Sequence, residues 1–343
     1  MSNTIALATY LKPFMPYFAM EGVNEICINR PYEVWVETQR EFKRFDEPSL
    51  SIDFLLQFAS LVGEYNQREI SPECPTLSSV LPDGARVQFV IEPACAKGTF
   101  VCAIRRQATK EVSLHHYFKE ERTEEQTLNE EGQLSQNDRS LLTTYEKGYY
   151  ALFLKQAVLA RKNIVIAGGT STGKTTFLNA LLQEVPLGER IITLETDREV
   201  MSSHLNSVHL LATEEGKSVS NITMLDLLKA SLRLRPDRLL VSEIRAEEAF
   251  SYLRAINSGH PGSITTLHAD SPEGCFEQLA WMALQSGCPL SRQEIIQYAK
   301  SIINVIVQIK RGTEGKRFIS AIYFDKAAEC GLKDQESLVT FDY

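Results

Sequence analysis

The chain has 343 residues, is 43% hydrophobic and 23% charged, and carries a net charge of −8. This is globular composition at a length that suits two domains, and the acidic balance argues against a surface built to wrap nucleic acid, which rests on clustered Lys and Arg. Seven scattered cysteines with no C-x-x-C pair argue against a disulfide framework or zinc site; Met1–Met20 has no basic leader and no apolar run reaches 18 residues, so a cytosolic protein without a membrane segment is expected.

Residues 1–110 read as a small α+β domain. Val23–Ile28 and Glu33–Glu37 are strand-like runs on either side of the turn Asn29-Arg30-Pro31. Ile52–Tyr65 places Phe54, Leu55, Phe58, Leu61 and Val62 at helical spacing. Pro82-Asp83-Gly84 predicts a tight turn into a strand over Ala85–Ile91, and Thr99–Arg105 predicts another. Residues 111–140 change character: Lys119–Gly132 holds six glutamates and one apolar residue, Leu128, which fits a solvated linker or an exposed helix.

Residues 141–343 form the second predicted domain. A helix over about 140–160 leads into the apolar run Ile164–Ala167. Helices over Thr175–Leu182, Thr223–Leu234 and Ala246–Asn257 then alternate with strands over Arg190–Leu194, Leu239–Val241 and Ser263–Leu267. Such alternation is the pattern of a parallel sheet covered by helices, an α/β architecture. Helices near 273–286 and 291–301 follow, and strands near 303–310 and 317–324, joined through Gly312 and Gly315, predict an antiparallel edge.

The chemistry starts where the first of these strands ends. Gly168, Gly169, Thr170, Ser171, Thr172, Gly173, Lys174 and Thr175 spell a phosphate-binding loop, with Thr176 just inside the helix that follows. Glycine frees the backbone to turn successive N–H groups toward phosphate oxygens, and the helix N-terminus adds partial positive charge. Lys174 would reach the β- and γ-phosphates of a nucleoside triphosphate, and the Thr175 hydroxyl would bind Mg²⁺. Two further strands end in acids. Glu243 follows Leu239–Ser242 at a position suited to holding Mg²⁺ through a water, and Glu195, with Asp197 and Glu199 close behind, would orient the attacking water. The alternative for Glu195 is a solvated acidic loop, and spacing does not choose between them. His260 and His268 flank a third strand at no recognised metal spacing; each is a phosphate or carboxylate partner or a structural histidine.

Taken in order, GGTSTGKTT, IITLETDREV, RLRPDRLLVSEIR and SGHPGSITTLHADS resemble the secretion ATPases, in particular the traffic ATPases of bacterial type IV secretion systems. EICINRPYEVWVE and LPDGARVQFVIEPA extend the likeness over nearly the whole chain. The resemblance implies a homohexamer in which a ring of N-terminal domains stacks on a ring of RecA-like P-loop motor domains, with nucleotide between the two domains of a subunit. It makes Lys174 and Thr175 the phosphate and Mg²⁺ residues, Glu195 the acid of an aspartate box, Glu243 the Walker B acid, and His260 and His268 the histidine box. Arginines of the N-terminal domain would reach the γ-phosphate, and Arg86, Arg105 and Arg106 are the candidates. Adjacent strand residues point to opposite faces, so Arg105 and Arg106 cannot both enter the site if the strand persists. The chain departs from the family in Glu195-Thr196-Asp197, where Glu-Asp-Thr is usual, and in Ser242, where Gly is usual.

The function implied is Mg²⁺-dependent ATP hydrolysis that powers pilus assembly or transfer of DNA or protein, with an interdomain angle that changes through the cycle. Partners would be other type IV secretion components at the cytoplasmic face of the inner membrane, where the protein would lie peripherally. The alternatives are a type II secretion or pilus-retraction motor and a nucleotide-gated scaffold with negligible turnover. No Asn-Lys-x-Asp signature supports a GTPase, and the net charge disfavours a DNA translocase.

Overall fold

Two sheets carry the fold of the computed structural model, which describes residues 2–38, 41–106, 135–213, 220–246, 248–312, 315–329 and 338–340. The glutamate-rich stretch Lys119–Gly132 lies outside the described residues. In the first domain α1 (Ser2–Leu11), a 3-10 turn (Lys12–Phe14) and α2 (Met15–Phe18) precede β1 (Glu25–Ile28), β2 (Glu33–Glu37) and β3 (Phe42–Asp46). α3 (Ile52–Tyr65), capped by the Ser51 hydroxyl, leads to β4 (Thr76–Val80), β5 (Arg86–Val90) and β6 (Val101–Arg105). The strands form an antiparallel sheet in the order β3-β2-β1-β6-β5-β4. Sequence reading missed the outer strands β3 and β4 because Phe-Lys-Arg-Phe-Asp and Thr-Leu-Ser-Ser-Val are half-exposed and carry no clean apolar run.

Both faces of this sheet are covered, and the period-2 alternation divides them. Ile26, Ile28, Phe89, Cys102 and Ile104 pack on Leu55, Phe58 and Val62 of α3. Cys27, Val90, Val101 and Ala103 point the other way, into a core continuous with the second domain. Each fully buried Val, Leu, Ile or Phe among them contributes about 1.5–3 kcal/mol relative to exposure.

The second domain begins with α4 (Gln136–Glu146) and α5 (Tyr150–Leu159) where a single helix was expected; Gly148, at φ +74°, takes the left-handed turn that separates them. There follow β7 (Ile164–Gly168), α6 (Lys174–Leu182), β8 (Ile191–Glu195), β9 (Ser207–Leu211), α7 (Met224–Ser231), β10 (Arg238–Ile244), α8 (Glu248–Asn257) and β11 (Ile264–Leu267). α9 (Pro272–Gln285), α10 (Arg292–Ile302), β12 (Val305–Arg311), β13 (Arg317–Phe324), α11 (Asp325–Glu329) and β14 (Leu338–Thr340) complete it. The sheet order is β14-β13-β12-β7-β11-β10-β8-β9. β12 through β9 run parallel, while β13 and β14 are antiparallel. β12 and β13 pair as expected, but β12 is an interior strand lying parallel beside β7.

The first domain docks along β9, a strand the sequence reading missed, and so covers that edge of the sheet. The Leu211 amide donates to the Ala94 carbonyl at 2.9 Å. Arg190, wholly buried, donates to the side chains of Asn29 in one domain and Asn206 in the other. Arg235 pairs with Glu37. Within one chain the two domains therefore share a core and a buried polar contact.

Candidate active site

Strand β7 is buried along its whole length and delivers the phosphate loop to the carboxyl edge of the sheet. A side chain at Gly168 is impossible without rearrangement: its Cβ would lie 2.6 Å from Thr172 Oγ1 and 2.7 Å from the Ile309 carbonyl oxygen. Ser171 and Gly173 both take positive φ, 59° and 92°, and Gly173 is the residue from which α6 starts. The Thr172 hydroxyl donates to the Gly169 carbonyl at 2.9 Å, closing the loop. Thr170, Ser171 and Thr176 are exposed around it. Thr175 is half-buried, and its hydroxyl bonds no protein group among the described residues.

Lys174 is 9% exposed and turns back into its own loop, donating to the carbonyls of Gly168 at 2.9 Å and Gly169 at 3.0 Å. Burial pushes its pKa down, and nearby Glu243 only partly restores it. Its Nζ lies 3.4 Å from His268 Nδ1, and His268 Nε2 lies 2.6 Å from Glu243 Oε1. Arg245 donates to the other oxygen of Glu243. Lys174, His268, Glu243 and Arg245 thus form one continuous polar chain, built from the carboxyl ends of three adjacent parallel strands. Register explains it: Leu267 stands beside Ala167 on one side and Ile244 on the other. Between Val241 and Ile244 that register slips, a bulge at Ser242-Glu243 of the kind that re-aims a side chain. The Ser242 carbonyl accepts from Thr266 at 2.6 Å, while its hydroxyl bonds no protein group among the described residues.

Glu195 does not occupy the place expected of a base. It is 0% exposed, and its Oε2 accepts the amides of Glu199 and Val200, each at 2.8 Å. Its Oε1 accepts from Thr193 at 2.5 Å and lies 3.2 Å from His209 Nδ1 on β9. Burial alone would raise its pKa, but the bonds from His209, Thr193 and the two amides outweigh burial and hold it below the ordinary carboxylate value. This carboxylate ties down the 196–200 loop, and Asn179 of α6 grips the same loop through Glu199 and Met201. Asp197 and Glu199 are the exposed acids here.

The N-terminal arginines are also not where a site between the two domains of one subunit requires them. Arg86 and Arg105, cross-strand partners on β5 and β6, line a cleft of about 890 Å³ together with Arg161, Arg235, His260 and Glu25. Arg161, Arg235 and His260 lie just before the starts of β7 (Ile164), β10 (Arg238) and β11 (Ile264), within a few residues of each, so the cleft opens at the amino edge of the parallel sheet, a strand's length (roughly 15 Å) from the phosphate loop. His260 and His268 accordingly lie at opposite ends of β11; the His260 ring contacts the Ala255 carbonyl at 3.2 Å. β6 ends at Arg105, so strand alternation no longer constrains Arg106, which donates to the Phe18 carbonyl at 2.6 Å. Arg233 and Arg235 of the cleft are engaged by Ser78 and by Glu37 and Asp237. The side chains of Arg86 and Arg105 form no hydrogen bond or ion pair among the described residues. Two cations beside the phosphate loop escaped the sequence reading, Arg245 and Arg317. The only hint of the second was the basic string Lys310-Arg311-Gly312 and Lys316-Arg317 around the hairpin turn.

A buried strand, phosphate loop and helix, with an acid and a histidine at the ends of neighbouring parallel strands, define a RecA-like P-loop ATPase. The family model described as type II/IV secretion system protein matches residues 132–313. The chain is 38% identical over 337 residues to the type IV secretion system protein VirB11 of Bartonella quintana (strain Toulouse), with 94% of each covered. It is 34% identical over 340 residues to VirB11 of Brucella suis biovar 1, covering 96% of this chain and 92% of that one. The crystal structure of the VirB11 ATPase from the Brucella suis type IV secretion system, in complex with sulphate, matches with a TM-score of 0.86 at 32% identity, over 97% of this chain and 98% of that chain. The chain belongs to the VirB11 family of type IV secretion ATPases, within the type II/IV secretion proteins.

Proposed function

We propose that the protein is a Mg²⁺-dependent ATPase acting as a homohexameric ring, peripheral to the cytoplasmic face of the inner membrane, and that its turnover drives pilus assembly or transfer of DNA or protein through a type IV secretion machine. Family membership supports the motor role. Among the described residues no helix is long and apolar enough to cross a membrane. The observation that carries the ring is the pair Arg86 and Arg105: cations whose side chains form no hydrogen bond or ion pair among the described residues, held at the opposite end of the sheet from their own phosphate loop. In a closed ring, the cleft of one protomer would face the phosphate loop of the next and complete its site.

In this reading Lys174 leaves two neutral carbonyls for phosphate oxygens, a stronger charge-assisted pairing. His268, between Lys174 and Glu243, passes that movement to the acid. Glu243 takes the role of orienting the attacking water, because Glu195 is fully engaged in holding its loop. The residues suit Mg²⁺: among the described residues the Thr175 hydroxyl has no protein partner, and no group of three His, Cys, Asp or Glu forms a cage. Such a cation rests mainly on the nucleotide's phosphates, whose γ-phosphoryl charge it would neutralise. Steady-state phosphate release, measured per protomer across a dilution series alongside sizing with ATP and Mg²⁺, tests the reading. Specific activity should climb as the large species forms. Release that stays at background at every concentration supports a scaffold, and full activity in a monomer removes the ring.

A further inference from the structure

Arg317, the first residue of β13, lies against the phosphate loop of its own chain. A Cβ placed on Gly173 would fall 2.9 Å from Arg317 Cδ, 3.3 Å from Nη1 and 3.4 Å from Nε. Strand register holds it there. β12 pairs in parallel with β7, Ile309 opposite Gly168, so the residues after Ile309 run past the end of β7 alongside the loop. β13 returns with Arg317 opposite Arg311. The Ile309 carbonyl, 2.7 Å from the point a Gly168 Cβ would occupy, sets how closely the hairpin approaches.

The placement is electrostatically adverse unless an anion shares it. A helix N-terminus carries partial positive charge and favours anions, Lys174 is the first residue of that helix, and Arg317 adds a third positive source. Arg317 is exposed and forms no hydrogen bond or ion pair among the described residues. The neighbouring cations are occupied, Lys174 by loop carbonyls and Arg245 by Glu243.

We propose that Arg317 binds the phosphate chain of the nucleotide held in its own chain's loop, at the portion common to ADP and ATP, so that the C-terminal hairpin forms one wall of the site. The assignment rests on the phosphate-loop reading. The commitment to the shared portion follows from the contact with Gly173, since loop amides cradle the α- and β-phosphates whereas the lysine reaches β and γ.

The test titrates full-length protein with a fluorescent ADP and with a non-hydrolysable fluorescent ATP analogue, both with Mg²⁺. Losing a charge-assisted hydrogen bond, Arg317→Ala should weaken both ligands by a similar factor of roughly 10 or more. Arg317→Lys should recover part of that loss, and Arg311→Ala, the cross-strand control, should bind as wild type does. Melting temperatures measured without nucleotide should match, because the side chain is exposed. Wild-type affinity for both ligands in Arg317→Ala, or a loss confined to the ATP analogue, overturns the proposal. If wild type and Lys174→Ala bind alike, the phosphate-loop reading fails first and takes this proposal with it.

Discussion

The two edges of the motor sheet deal with charge in opposite ways. At the carboxyl edge a few ionic groups are spent on one another, in the chain Lys174–His268–Glu243–Arg245. At the amino edge arginines from both domains crowd a cleft, where the side chains of Arg86 and Arg105 form no hydrogen bond or ion pair among the described residues and the nearest acid, Glu25 opposite Arg105, is buried with its pKa raised to about 7. The first arrangement is self-sufficient until phosphate displaces its bonds; the second leaves Arg86 and Arg105 without an ion pair among the described residues, open to an anion from elsewhere. One chain thus carries two incomplete halves, as the proposed ring would require. The shared core around Cys27, Val101 and Ala103 adds a mechanical consequence. Swinging the two domains of one chain apart would expose that core and strand buried Arg190, so in the proposed ring the hinge of a working cycle would belong at the junction between protomers.

The largest effect that would break this contrast comes from Arg105→Ala. If the amino-edge arginines complete a neighbour's site, turnover should fall by roughly 10³-fold or more, as for other arginines acting on phosphoryl transfer, while ADP affinity stays near wild type. Equal loss of ADP binding would place Arg105 in its own chain's site. A smaller effect sharpens the carboxyl edge. Glu195→Gln puts an amide N–H against backbone donors and should cost about 2–3 kcal/mol of unfolding free energy by denaturant titration. A solvent-facing base would lose turnover with stability unchanged. Because the folded-state pKa of Glu195 is depressed, its contribution is present above the unfolded value and disappears as pH falls through the folded one, so the variant should lose less stability on acidification than wild type.

The smallest effect concerns Glu25 and has the opposite sign. Burial, only partly offset by Arg105, raises its pKa from 4.5 to about 7. A raised carboxyl favours the fold below its unfolded value, and that contribution is lost as pH rises through about 7. Glu25→Gln should therefore melt like wild type near pH 5 and slightly above it near pH 8. Parallel pH profiles for the two proteins would show that Glu25 ionises freely in the cleft.

What the sequence made legible was local. The phosphate loop, Glu243 and His268 sit at the ends of apolar runs, and strand ends are where a parallel sheet presents ligands, so their string positions nearly determined their places. Glu195 has the same signature, yet its fate depends on His209 of β9, a five-residue strand following an irregular stretch with no clear pattern. Arg86 and Arg105 were legible, through the resemblance, as candidates to reach a γ-phosphate, but which edge they face depends on how the first domain docks on β9, a tertiary choice with no local signal. The same holds for Arg317. That residues 303–324 form a hairpin was readable; that β12 would lie next to β7 and carry a guanidinium to Gly173 was not.

The most direct test of a site shared between chains is subunit mixing. Lys174→Ala lacks the phosphate lysine and Arg86→Ala/Arg105→Ala lacks the arginines, so each should be inactive alone. Mixed and allowed to exchange protomers, they should regain a fraction of wild-type ATP turnover, because some junctions then pair an intact loop with an intact cleft. A mixture that exchanges subunits and stays as inactive as its components would contradict the account.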